Sequence, residues 1–347
     1  MRKSFVINLI ISILLLIVFM VFVSTIGAVK IPFSDSIKIL VSKIPLINKF
    51  VDVSNIKHSH LQIILNIRFP RIVLSALIGG SLAASGSVFQ GVFKNPMADP
   101  YVLGVSSGAA LGASIVIIFF NTVSYLGIST VVVGAFIGAV LSILIVYNLS
   151  RIGGKTPTVT LLLAGIAINF FLSSIISLLM ALNRDQVERI IFWTMGSVSA
   201  ASWSKIYIIL IPFIIVNILF IFFAKDLNLL LLGEDSAQSL GVDVEKTKIV
   251  LLVLSSLSTA AAVSVSGIIG FVGLIVPHAV RIISGPDHRR LIPFAIVGGS
   301  IFMVISDTIS RTIVAPTEIP IGVVTAMFGA PYFLYLLVKN KNMGGIN

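Results

Sequence analysis

Long stretches without Asp, Glu, Lys or Arg set the pattern of this chain. Residues 4–29, 72–93, 156–183, 206–224, 249–280 and 319–338 carry no formal charge, and 100–150 stays uncharged for long enough to cross a membrane twice. A helix that spans hydrocarbon needs about 20 apolar residues, whereas a barrel strand needs about 10 in alternation. The runs are of helical length and do not alternate, which predicts an all-α integral membrane protein. Ten helices are expected, near 5–29, 72–93, 101–120, 125–149, 159–182, 206–224, 249–267, 268–284, 291–310 and 319–338. The eighth is short and carries Pro277, His278 and Arg281, which predicts a bend or an interfacial position. The largest gap, 30–71, leaves no room for a folded soluble domain, so residues 1–347 read as one transmembrane domain.

Composition agrees with this pattern. Of 347 residues, 57% are hydrophobic and 11% charged, against roughly 25% charged in soluble domains, and the mean hydropathy is +1.11. A bilayer asks only that backbone groups be satisfied within helices or closed barrels. An even number of spans puts both termini on one side. With the termini cytoplasmic, thirteen Lys and Arg fall inside and eleven outside, but seven of those eleven lie between Lys30 and Arg71, and the other loops favour this orientation. Arg2 and Lys3 precede a run ending Ser24-Thr25-Ile26-Gly27-Ala28, which resembles a signal peptide, yet the run is too long for a typical apolar core and reads as an uncleaved first helix. The absence of cysteine excludes disulfides and thiolate metal sites.

Candidate chemistry is sparse, and no catalytic residue is expected. Gly154-Lys155-Thr156 imitates the end of a phosphate-binding loop, but Leu149 stands where the first glycine is required and no strand precedes it. Any ATPase must be another chain. Small residues cluster at Gly79-Gly80-Ser81, at Ala83 to Gly86, at Gly104, Gly108 and Gly112, and at Gly134 and Gly138. Helices in lipid associate through close backbone approach, so these positions are assigned to packing.

The segment 227–248 breaks the apolar pattern. Glu234 and Asp235 suit the start of a short helix, Ala237 and Leu240 are expected on one face, and Gly241 suits a left-handed residue beyond its end. Four acids (Glu234, Asp235, Asp243, Glu245) gather there on a chain of net charge +11. The residues alone fit either a plain loop or a docking element for a cytoplasmic partner.

Several strings in fixed order carry a resemblance. Arg68-Phe69-Pro70-Arg71, Ser85-Gly86, Gln90, Lys94-Asn95-Pro96-Met97-Ala98-Asp99-Pro100 and Leu103 to Ala109 come first. Gly267 to His278, Arg281, Asp287-His288-Arg289, Asp307, Arg311, Glu318 to Gly322, Thr325-Ala326 and Gly329-Ala330-Pro331 follow. Together they resemble the FecCD-type permease family over about residues 60–338, with Lys94 and Met97 where that family often has Arg and Leu. The resemblance implies a ten-helix importer permease in the plasma or inner membrane. Its implied partners are a second permease copy, two cytoplasmic ATPase subunits that use ATP and Mg, and an extracytoplasmic binding protein, with no nucleic acid. The cargo class is a ferric siderophore, haem or cobalamin, taken as an iron chelate. The resemblance also implies that Leu230, Gly233, Glu234, Asp235, Ala237, Leu240 and Gly241 form the coupling segment held by the ATPase. Arg68, Arg71 and Arg311 are implied to dock the binding protein. The fifth span, with Asn169, Ser173 and Ser177 and no charge, is implied to line the translocation path. Gly329-Ala330-Pro331 is a candidate for the dimer interface.

Asp307 is the main ionisable residue within a span, and Arg311 four residues later gives it a partner on the same face. The spacing favours that pair over proton coupling, and with it an ATP-driven importer over an ion-gradient carrier. His58 and His60 supply two ligands where a closed zinc site needs four, so no resident metal or cofactor is expected in this chain. His278 and His288 are expected to shape the turn after the eighth span.

Overall fold

The computed structural model describes residues 2–342 except 28, 45–50, 55, 121–122, 126–127, 152 and 154–155. The phosphate-loop lookalike at Gly154-Lys155 therefore lies outside the described residues. The chain runs through α1 (Arg2–Ser24), α2 (Phe33–Val41) and α3 (His58–Gln62), then passes without a break through a π-helical stretch, Ile63–Arg68, into α4 (Phe69–Val92). A 3-10 turn at Pro100–Leu103 leads into α5 (Val105–Phe119), and a hairpin of β1 (Ser124–Tyr125) and β2 (Ile128–Ser129) leads into α6 (Thr130–Ser150). Next come α7 (Thr158–Leu182), a 3-10 turn at Arg184–Gln186, α8 (Val187–Thr194), α9 (Trp203–Leu231) and α10 (Glu234–Ser239). The chain ends with α11 (Val244–Ser266), α12 (Val272–Ser284), α13 (His288–Thr312) and α14 (Ile321–Asn342). Among the described residues seven helices are long and apolar enough to cross a membrane, and three shorter apolar ones, at Val105–Phe119, Val272–Ser284 and Ile321–Leu336, complete the ten expected segments.

Several boundaries need correction. The second span does not begin at 72, because helix continues back through Arg71 and Arg68 to His58. Both arginines looked like residues outside a span, but both are buried and hydrogen-bonded within the chain. The third span starts at Val105, after Asp99 has accepted the Tyr101 N–H at 2.8 Å and capped the preceding 3-10 turn. The fourth starts at Thr130, where the Ser129 hydroxyl accepts the Val131 N–H at 3.3 Å. Between the seventh and eighth spans, 267–271 is not helical, and Phe271 adopts φ +70°, a left-handed conformation uncommon for a bulky residue. The amphipathic α8 was not anticipated.

Helix α4 is the hub. It is buried along nearly its whole length and packs against α9, α11, α12 and α13. Its contacts depend on missing side chains: a Cβ on Gly86 would stand 1.9 Å from the Gly273 carbonyl oxygen, and one on Gly79 2.1 Å from that of Gly299. Helices α5 and α6 approach in the same way, since a Cβ on Gly112 would lie 2.0 Å from the Gly134 oxygen. In lipid there is little hydrophobic drive between helices, so this backbone proximity and its dispersion contacts hold the bundle. By contrast α1 is barely buried and touches the bundle mainly along α13.

Candidate coupling segment and translocation groove

The segment after α9 is a compact, tied-down projection. Leu230 is buried at the end of α9, Gly233 turns the chain with φ +120°, and Glu234 and Asp235 occupy the first turn of α10. The helix closes with two reversed bonds, Val242 N–H to Ala237 O at 3.0 Å and Gly241 N–H to Gln238 O at 3.0 Å. This is a Schellman closure, and it sets Gly241 at φ +87°. One expectation fails: Ala237 and Leu240 do not share a face. Ala237 is fully buried, while Leu240 caps the helix and is 61% exposed. Leu232, Leu240 and Asp235 thus point outward around a buried alanine.

Three polar links fasten this projection to the bundle. Lys248 reaches Glu234 at 3.0 Å and Glu245 at 3.5 Å. Glu245 accepts the Thr156 N–H at 2.7 Å and also its hydroxyl, which joins α11 to the start of α7. Asn228 donates to Asp287 at 2.6 Å, and its carbonyl oxygen accepts the His288 N–H at 2.9 Å. His288 is buried, and its Nδ1 lies 2.8 Å from Asn228 Oδ1, so this histidine does shape the α12–α13 turn. His278 instead meets Tyr332 edge-on, with centroids 6.4 Å apart. Asp287 also caps α13 through the Arg289 N–H. The Arg289 side chain at 2.8 Å holds the Asp287 carboxyl down at about 2, with a smaller contribution from Asn228 and against a modest desolvation. Sequence reasoning missed Asn228, and it named Glu245 only as one of four clustered acids and not as the partner of Thr156. The Asp243 cap on Lys246 N–H, at 3.1 Å, was a readable signal for the start of α11.

Asn169, Ser173 and Ser177 lie along one side of α7 and line a groove of about 580 Å³ with Tyr101, Ser107 and Thr194. Their roles differ. Asn169 is committed to packing: its Oδ1 accepts the Ser107 hydroxyl at 2.6 Å, and its amide donates to Tyr101 O and Val102 O at 3.3 and 3.4 Å. Ser173 and Ser177 are exposed to the groove. Beside them Tyr101 donates to Ile269 O at 2.8 Å, so the non-helical stretch before α12 is held by the 3-10 turn before α5. Gly329, in the string expected near a dimer interface, lies so close to Phe271 that an added Cβ would stand 2.5 Å from its side chain.

At the opposite end from α10, Arg68, Arg71 and Arg311 come together, but as buried side chains. Arg68 donates to the carbonyls of Ser24 at 2.9 Å and Thr25 at 3.1 Å, and also to that of Val29. Arg311 donates to Ile26 O at 2.6 Å and Val23 O at 3.1 Å. Arg71 bonds Asp307 at 2.7 Å and Glu318 at 2.8 Å. The expected Asp307–Arg311 pair is therefore the looser contact, at 3.7 Å, and Arg71 from a distant helix is the main partner. All three guanidinium groups are engaged within the chain. In the described first loop, His60 stands 3.3 Å from Asp35.

Comparison with known proteins agrees with this architecture. Residues 14–339 match the model of the FecCD transport family. The chain is 46% identical to the cobalamin import system permease protein of Halobacterium salinarum, over 79% of this chain and 73% of that one. It is 43% identical to the hemin transport system permease protein of Yersinia pestis, over 80% and 82%. A solved structure of an inward-facing metal-chelate type ABC transporter superposes with a TM-score of 0.82 at 30% identity, covering 96% of this chain and 99% of that one. With helices, breaks and close-packed glycines in this arrangement, the chain belongs to the FecCD transport family.

Proposed function

We propose that this protein is the membrane-spanning permease of an ATP-driven importer and carries an iron chelate into the cytoplasm. It works as a homodimer with two ATPase subunits on the α10 end and a binding protein at the other, both termini being cytoplasmic. The observation that carries this reading is the α10 projection. An exposed Leu232, Leu240 and Asp235 on a braced helix form an apolar and acidic docking surface, and the bracing carries force into α7, α11 and α13. An ion-gradient carrier would need a carboxylate free to exchange a proton. Asp307, enclosed between Arg71 and Arg311, does not fit that role.

The groove beside Ser173 and Ser177 would become half of a central path when a second copy faces it, with hydroxyls that graze a bulky chelate without a fixed charge to retain it. Cobalamin is the second cargo reading, supported by the 46% identical relative. The deciding experiment is uptake into proteoliposomes containing the permease, its ATPase and its binding protein, supplied in turn with a ferric siderophore, haemin and cobalamin. ATP-dependent uptake of the siderophore alone supports the main reading, uptake of cobalamin alone replaces the cargo, and uptake without the ATPase refutes the importer.

A further inference from the structure

A groove of about 520 Å³ opens between α1, α12 and α13, on the side of the bundle that α1 covers only loosely. Its end near α10 is polar, with Ser4, Asn8, Ser284 and Arg290. Above that its walls are Phe5, Phe294, Val297, Ile301 and Leu15. Both helices climb in the same direction, as the edge-on contact of Phe5 with Phe294 at 5.7 Å shows near one end and the Arg311 bond to Ile26 O at the other. From Ser4 to Leu15 on α1, and from Arg290 to Ile301 on α13, the rise at about 1.5 Å per residue is roughly 16 Å. That is about half of a hydrocarbon core of roughly 30 Å, the depth of one leaflet.

Charge singles out the polar end. Three arginines stand at the α12–α13 corner. Arg281 donates to Gln90 at 2.9 Å and Arg289 to Asp287 at 2.8 Å. Arg290 is half-buried in the groove; its backbone N–H donates to Asp287 O at 2.9 Å, but its guanidinium has no hydrogen bond or ion pair among the described residues. A half-buried guanidinium without an anion is unfavourable, and its planar donors suit a phosphate diester. Ile282 and Ile283, 70% and 88% exposed, flank this corner and would lie in the acyl region.

The geometry points to a binding site for an anionic glycerophospholipid, with the phosphate on Arg290, Ser284 and Ser4 and one acyl chain laid up the groove against Phe294, Val297 and Ile301. Basic clefts between membrane helices hold anionic headgroups in this way. The lipid fills the space that α1 leaves beside α13.

Native mass spectrometry of the intact permease, titrated with phosphatidylglycerol or with phosphatidylcholine of the same chains, tests this. Phosphatidylglycerol is expected to load one saturable site per chain ahead of phosphatidylcholine. Arg290→Gln should weaken that first site about tenfold, since a charge-assisted bond is lost. Arg151→Gln, which removes an exposed arginine elsewhere at the same end, should leave it unchanged. Ser12→Phe, which fills the groove from the loosely packed α1, should lower occupancy of both lipids while Arg290 remains. Equal loading of the two lipids, or equal weakening by Arg290→Gln and Arg151→Gln, overturns the proposal in favour of annular lipid or diffuse surface charge. If Ser12→Phe leaves the first site intact, the lipid does not occupy this groove.

Discussion

Arg71 Nε donates to Asp307 Oδ1 at 2.7 Å, joining the first turn of α4 to the last turns of α13 across 236 positions of sequence. Both side chains are almost inaccessible, at 8% and 1% exposure. A buried pair adds little over an apolar packing, but removing one partner is costly because it strands the other charge. Asp307→Ala is expected to destabilise the bundle by about 3–5 kcal/mol, read as a lower midpoint of thermal unfolding in detergent. Arg71→Met with Asp307→Leu should recover most of the loss. If the double variant is no better than Asp307→Ala, the pair is not an independent unit.

The coupling projection should separate folding from transport. Gly241→Ala must hold a left-handed conformation that costs an ordinary residue about 1–2 kcal/mol, whereas Leu240→Asp changes only the exposed tip. Leu240→Asp should insert and melt like the parent and lose most stimulation of ATP hydrolysis by the loaded binding protein. Unaltered stimulation would remove this tip from the contact with the ATPase.

Packing of α5 against α6 should be intolerant of added volume. Gly112→Leu would place carbon where the Gly134 carbonyl stands, and overpacking of this kind costs typically about 1–3 kcal/mol even where neighbours can shift. Limited proteolysis and a fall in the melting midpoint would register it, and Gly270→Leu, at an open position without a left-handed φ, is the matched control for added bulk.

Asp287 gives a pH dependence of definite sign. Its carboxyl is held at about 2, below the usual 3.8, by Arg289 first and Asn228 second. A depressed acid contributes stability that is complete above the ordinary value and disappears as pH falls through about 2. Protection of the α12–α13 turn from hydrogen exchange, taken relative to the intrinsic amide rate, should therefore fall between about pH 4 and pH 2, and Asp287→Asn should be weakly protected already at pH 7 with that acid step abolished. An unchanged acid step in Asp287→Asn would assign it to another group.

The chain has no cysteine, so single thiols report cleanly on the groove. Ser173→Cys and Ser177→Cys should react with a membrane-impermeant maleimide and be protected when transport is arrested with cargo bound. Ser114→Cys, at a position 1% exposed, should not react. Failure of both groove thiols to react would deny water access to this side of α7.

The number of spans was legible because charge-free runs of helical length register directly in composition. Their ends were less so. Arg68 and Arg71 looked like boundary residues, since a charge is ordinarily costly in a span, and nothing in the local sequence tells that carbonyls from 24–29 and acids at 307 and 318 will satisfy them. The same long-range pairing explains why Asp307 was matched with its neighbour Arg311 and not with Arg71. Gly241 was readable, because a left-handed position after a short helix favours glycine locally. Leu240 was not, because the helix ends one residue before the face repeat would have buried it. Asn169, Ser173 and Ser177 were singled out as polar residues of an uncharged span that the family resemblance set along the path, but only the fold distinguishes the amide that binds neighbouring carbonyls from the hydroxyls left facing the groove.

The carbonyls that end α1 are held by Arg68, 39 to 44 positions later, and by Arg311, 285 to 288 positions later. A ribosome delivers these partners at very different times. Helix α1 can be half-fastened once the stretch leading into α4 is made, but its second latch waits for α13, some 285 positions further on. A nascent chain stopped short of α13 therefore carries a leading helix that is inserted and not yet locked, with Asp307 still to come for Arg71. The fastening of α1 is thus written into the order of synthesis: α13 locks it by reaching back across most of the helices made between them.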